Sequence, residues 1–318
     1  MDNLAKYNRM MRRLSASMLS KYDDTQQSNT DNPSVGIGAA AGRILVSDTI
    51  NLDDIPALLD GLDILAHAAE ESHLYGKCAR FDDTLGFTRP CYHPMLLHLH
   101  LAALTIAQPH LSPDQLERAN QLTRQAASAF TWLAGFVVNN KPIPVLEIEQ
   151  VIMATACLNW FRDLPASQIF GNNLGQFQNN PAADIIDILI SRVLSHMGHD
   201  GELRPFDHDS GDLLDAWWYR ELVALHGLIA LAIKQQRIDW LDAAKRIAAH
   251  HLANTQPDHT TAQPWGVACY ASQIDFNSFA DQQLHDCEAN WHLTRGGSGV
   301  VAALVLADAS FTANAMLA

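Results

Sequence analysis

The segment at 222–233, LVALHGLIALAI, is apolar almost all the way round a helix, while the one that follows, 238–254 (IDWLDAAKRIAAHHLAN), is apolar along one stripe only. In the second segment Trp240, Ala244, Ile247 and Ala248 share a face, with Asp242, Lys245 and Arg246 off it. A helix apolar all round must be covered on every side, whereas a striped helix needs cover on one side and gives the other to water. The alternation recurs, with MLLHLHLAALTIA ahead of an amphipathic stretch at 112–138 and VLEIEQVIMATACLNW ahead of another at 181–197. Helical periodicity dominates the chain, and no stretch of alternating β-branched residues stands out. The pattern predicts an all-α protein with helices near 52–79, 94–107, 112–138, 144–161, 181–197, 212–234, 238–254, 266–288 and 298–308. Ser112-Pro113-Asp114 marks one helix start, and Asp239 is placed to cap a helix beginning at Trp240.

Composition sets the outer limits. With 318 residues and 48% hydrophobic content the chain can bury a large core. The 35 acidic and 21 basic side chains give a net charge of −14, which argues against a surface that grips nucleic acid or anionic lipid. Protonating all 15 histidines would carry −14 to +1, so the charge is sensitive to mild acid. Cys78, Cys91, Cys157, Cys269 and Cys287 are dispersed and odd in number, which reads as reduced thiols in a cytoplasmic protein. The first twenty residues form a basic amphipathic helix without the apolar run of a secretory signal. The run Leu222 to Ile233 falls short of the ~20 residues needed to span a bilayer. The expectation is a soluble protein, with residues 1–50 an amphipathic helix followed by a polar, then glycine-rich linker (23–50), and residues 51–318 the folded domain.

Each predicted buried helix is preceded by a polar and aromatic loop: FDDTLGFTRPCYHP, NNKPIP, FDHDSGDLLDAWW, PDHTTAQPWG and DCEANWHLTRGGSG. Pro94 and Pro144, like Trp218 and Trp265, are spaced by roughly 50 residues, the length of one helical hairpin. Inner buried helices, outer amphipathic ones and loops gathered at one rim describe an α/α toroid, complete or partial. In this layout, over about 52–308, the chain resembles the six-hairpin glycosidases, the toroidal polysaccharide lyases, and the terpenoid cyclases with their prenyltransferase relatives. WWYREL, 217–222, is similar to the W-W-x-x-E-[IL] piece of certain toroidal lyases. In that family an Asn before the two tryptophans helps neutralise the substrate carboxylate, and Ala216 stands there in this chain, so that role does not carry over.

Asp207, Asp209, Asp212 and Asp215 crowd the approach to the 222–233 helix, followed by Trp217 and Trp218. Carboxyls beside aromatic faces suit sugar chemistry: rings pack on a pyranose while one carboxyl protonates the leaving oxygen and another activates water or attacks. Trp217 and Glu221 stand at i and i+4, on one helix face. Asp212 and Asp215 equally suit a helix N-terminus, and the tryptophans equally suit a core. Downstream, Glu288, Trp291, His292 and Arg295 precede Gly296-Gly297-Ser298-Gly299, a helix start suited to an anion, while the same glycines also suit close packing. The expectation is a small-molecule or oligosaccharide pocket, worked by hydrolysis or elimination. Asp209, Asp215, Glu288 and His292 are the catalytic candidates. Arg89, His93, Trp217, Trp218, Glu221, His259, Trp265, Trp291 and Arg295 are the substrate-binding candidates.

Other signatures fail. His196 and His199 lack the spacing and Glu of a zinc protease motif, and His98 and His100 diverge on a helix. Asp207-His208-Asp209 lacks the rest of a calcium loop, and Asp82-Asp83 lacks the third Asp of an isoprenoid diphosphate motif. No phosphate-binding loop or dinucleotide fingerprint occurs, so the sequence calls for no metal or cofactor. Two rival readings stay open: a non-catalytic helical scaffold that binds a protein or small ligand, and a terpenoid-type toroid with an apolar pocket.

Overall fold

The computed structural model describes residues 2–20, 33–73, 91–138, 148–162, 164, 169, 182–203, 214–254, 263–293 and 299–318. These residues are almost wholly helical. The α-helices are α1 Asp2–Leu19, α2 Ala39–Val46, α3 Asp54–His73, α4 Tyr92–Ala107, α5 Pro113–Ala126, α6 Thr131–Val138 and α7 Ile148–Leu158. They continue as α8 Ala182–Ser195, α9 Leu214–Gln235, α10 Ile238–Asn254, α11 Val267–Ser272, α12 Asn277–Leu293 and α13 Gly299–Leu317.

Helix boundaries follow local chemistry. Ser112 caps α5 in a reciprocal box: its hydroxyl accepts from the Gln115 backbone N–H while the Gln115 side chain accepts from the Ser112 N–H. The 112–138 pattern is interrupted after Ala126 by a 3-10 turn, Ala127–Phe130, before α6. The 266–288 pattern is broken too. Gln273 is extended (φ −115°, ψ 123°) and Ile274–Phe276 form a 3-10 turn, so α11 is short and α12 starts afresh at Asn277. In consequence DCEANWHL, expected as a loop, is the second half of a helix.

The glycine-rich stretch expected as linker also differs. Pro33–Gly38 is a 3-10 turn and AAAGRILV forms α2, with Ala41, Ile44 and Leu45 buried. Its small residues suit a crowded interior, where a built Cβ on Gly42 would meet Leu304 at 2.9 Å. Arg43 of α2 donates to the nearly buried Asp54 carboxylate at the start of α3 (2.6 Å).

Neighbour relations among the helices form a closed cycle: α2 packs on α4, α4 on α7, α7 on α9, α9 on α11, α11 on α13, and α13 again on α2. These helices supply most of the core, including Leu96, Val151, Leu222, Leu225, Val267 and Leu304. Helices α3, α5, α8, α10 and α12 pack against these helices or each other, and α9 also packs directly on α13. The N-terminal helix joins them, as α1 packs along α13, burying Tyr7, Met11 and Met18. Ser15 donates to the Ala303 carbonyl (2.7 Å) and Ser310 to Asn8 (2.7 Å), which ties the two chain ends together. Val300–Leu317 is apolar and long enough to cross a membrane by composition, but 72% of it is buried within the protein.

Candidate functional site

Three helices of the cycle each carry a buried polar residue that burial forces to find a partner. In α4 it is His98, in α9 His226 and in α13 Asp308, all inside the core. The three meet. His226 Nε2 hydrogen-bonds Asp308 Oδ2 at 3.0 Å, and His98 Nε2 lies 3.3 Å from Asp308 Oδ1. Behind each imidazole stands a donor: the Trp160 indole N–H donates to His98 Nδ1 (3.0 Å), and the Gly266 backbone N–H to His226 Nδ1 (3.4 Å). Burial by itself would raise the Asp308 carboxyl, but the two imidazoles outweigh it and hold the group well below the usual carboxylate range. On its outer side this cluster borders a small cavity of about 30 Å³ lined by His98, Asn159, Trp160, Lys234, Phe311 and Thr312. Lys234 Nζ sits 4.7 Å from the Trp160 ring centre.

On its other side the cluster reaches the starts of three helices in the cycle. Gly266, at φ +73°, turns the chain into α11, and a built Cβ there would lie 2.9 Å from Leu225, so glycine suits both the conformation and the space. The buried Trp265 ring packs edge-on against His226 (5.2 Å between centres, 88°). Its indole N–H donates to Gln263 Oε1 (2.9 Å), which also accepts from the Tyr219 hydroxyl of α9 (3.4 Å). The Gln263 amide N–H donates to the Tyr92 hydroxyl at the start of α4 (3.3 Å). Tyr92, Tyr219 and Trp265 are buried, while Gln263 is half-buried. The end of FDDTLGFTRPCYHP, the residue after FDHDSGDLLDAWW and the end of PDHTTAQPWG, far apart in sequence, therefore converge on one side chain.

The predicted site residues fall into three groups. Asp209, Arg89, His259 and Arg295 lie outside the described residues. Asp215, Trp217 and Trp218 occupy the first turns of α9, and their side chains lie outside the described set. The remaining candidates separate into interior and exterior.

Inside, Trp265 belongs to the cluster around Gln263 just described. His93 is fully buried against the Leu65 carbonyl (3.1 Å), and burial pushes its imidazole down to about 4. Glu221 is buried with its Oε2 3.0 Å from His251 Nε2 on α10. Its carboxylate adds to the burial that pushes the Tyr270 hydroxyl well above its ordinary value. Outside, Glu288, Trp291 and His292 share α12 and line a groove of about 380 Å³ against α1, with Arg13, Asp281 and His285. Glu288 and His292 are exposed there, on a helix where a loop was expected. Trp265, His93 and Glu221 do not line that groove.

His98 and His100 do diverge: His100 Nδ1 turns to the Leu96 carbonyl (2.7 Å), and burial pushes its ring down to about 4. His196 and His199 lie beyond the end of α8. Among the described residues no group of three or more His, Cys, Asp or Glu is placed to hold a metal ion. Sequence reading missed His98, His226 and Asp308 as a unit, although each is a polar interruption of an apolar helix, which is the signal that would have found them. Comparisons with protein-family models, curated proteins and solved structures find no match for this chain.

Proposed function

We propose that the chain is an α/α toroid whose inner ring is the cycle α2–α4–α7–α9–α11–α13, and that it binds a carbohydrate at the mouth where those helices begin. The observation that carries this reading is the Gln263 amide, joined to Tyr92, Tyr219 and Trp265 from three separate segments. A half-buried amide set among aromatic rings suits a sugar, which presents hydroxyls for hydrogen bonds and a C–H face for a ring. The carboxyl chemistry falls to Asp209 and Asp215, the latter one helical turn before Tyr219 in α9. Glycoside hydrolysis and uronate elimination both need such groups.

Thermal melting against neutral and uronic-acid oligosaccharides tests the reading. A bound glycan raises the melting temperature, and Gln263→Ala removes the rise. Reducing-sugar release identifies hydrolysis, and ultraviolet absorbance of an unsaturated uronate identifies elimination. If no oligosaccharide shifts the wild-type protein, the carbohydrate reading falls. The scaffold alternative rests on a different observation, the open groove between α1 and α12. Binding there would be lost on Trp291→Ala and untouched by Gln263→Ala.

A further inference from the structure

We infer that Asp308 and His226 are positioning residues for the mouth, fixing Trp265 and Gln263 from the centre of the protein through a single defined histidine tautomer. The inference builds on the mouth reading above, but its central measurement does not depend on what the mouth binds.

An indole N–H and a backbone N–H can only donate, so His98 Nδ1 facing Trp160 and His226 Nδ1 facing Gly266 must both be acceptors. An imidazole nitrogen that accepts carries no hydrogen, so each ring bears its N–H on Nε2. Both Nε2 atoms face Asp308, one toward each carboxylate oxygen, at 3.3 and 3.0 Å. A carboxylate is the side chain of this size that accepts on both oxygens; an amide accepts on one and donates on the other. Asp308 thus sets the tautomer of His226, and that tautomer lets His226 accept the Gly266 N–H at the left-handed turn. The same ring packs edge-on against Trp265, whose indole holds Gln263, which in turn reaches Tyr92 and Tyr219. Helices α4, α9 and α13, the 3-10 turn that holds Trp160 after α7 and the turn before α11 are linked in this way.

Imidazole nitrogen shifts in the 15N-labelled wild-type protein give the first test. His98 and His226 should each show an unprotonated Nδ1 and a protonated Nε2, and assignment of His226 to the opposite tautomer or to the doubly protonated form overturns the inference. Asp308→Leu, which can accept from neither imidazole, supplies the second, read by hydrogen exchange. The Gly266 amide and the Trp265 indole N–H should exchange about tenfold faster, as for the loss of one hydrogen bond, with α5 and α10 amides unchanged. No change at Gly266 and Trp265, or a uniform rise over all helices, overturns it.

If Asp308→Leu does not fold, a pair at the second position decides. His226→Gln retains a donor toward Asp308 but offers no acceptor to Gly266, whereas His226→Asn does the reverse. Exchange at Gly266 should rise in the first and stay low in the second, and the opposite order overturns the inference. If the coupling is found and no oligosaccharide shifts the melting temperature, the positioning role stands and the carbohydrate reading alone is lost.

Discussion

The central cluster and the outer groove are built from the same residue types and behave as opposites. His98, His226 and Asp308 sit in the core, with His226 hydrogen-bonded to one Asp308 oxygen, His98 3.3 Å from the other and a donor behind each ring. Arg13, Asp281, His285, Glu288 and His292 line an open groove between α1 and α12, where water can solvate charges of either sign. A buried polar group must be satisfied by protein, so its geometry is fixed, and removing one member strands the others. An exposed charge loses little when a neighbour changes, because solvent replaces it. Residue type therefore says little about which histidines matter, and surroundings say a great deal.

The sharpest way to break this contrast is to delete the shared anion. Asp308→Ala leaves two imidazoles facing a void and should cost about 3–5 kcal/mol, measured as a shift in the urea midpoint at neutral pH. A loss below about 1 kcal/mol, the scale of an exposed pair, would put the cluster in the same class as the groove.

Acid is the next probe. His93 and His100 are buried with imidazoles pushed down to about 4. From about pH 6.5 down to 4 the unfolded chain takes up protons at these positions that the folded chain refuses. Stability should fall as pH is lowered through that window, by on the order of 3 kcal/mol per histidine. Asp308 adds a further loss only below about pH 4, since its depressed carboxyl stabilises the fold above the unfolded value and ceases to do so as pH falls through the folded one. Urea titrations at a series of pH values read both effects, and His93→Gln should flatten the upper part of the curve. A flat profile from pH 7 to 4.5 in the wild-type protein would contradict it.

Smaller effects refine the comparison. Trp160→Phe keeps the ring but removes the donor behind His98, and should cost about 1–2 kcal/mol. At the bottom of the scale, Glu288→Gln and His292→Ala should each change stability by less than about 0.5 kcal/mol. A large loss from either groove variant would mean that the groove is a structural element.

Much of the helical layout was legible because it depends on spacing and caps. The proline start at Ser112-Pro113, the buried 222–233 segment and the striped 238–254 segment all reappear as helices with those characters. Two stretches misled for one reason: polar or glycine-rich composition resembles a loop when neighbours are unknown. Gly38 and Gly42 are where α2 comes close to Leu96, Leu19 and Leu304, and the polar DCEANWHL is a helix with Cys287 and Trp291 turned inward. Of the mouth, Trp265 was singled out in advance, and Tyr92 and Gln263 were seen only as members of their loops. Their meeting depends on contacts across 171 residues of chain, which no local pattern encodes.

By itself the sequence determined that this protein is helical, which helices must be covered on all sides, and how far protonated histidines would shift its net charge. Those properties follow from periodicity and side-chain chemistry, which act over one or two helical turns. Tertiary structure alone decided that α1 pairs with α13, that His98 and His226 share Asp308, and that Glu288 and His292 face a groove. A polar residue in an apolar helix announces that it needs a partner, but the partner is chosen by packing between elements that the sequence keeps far apart.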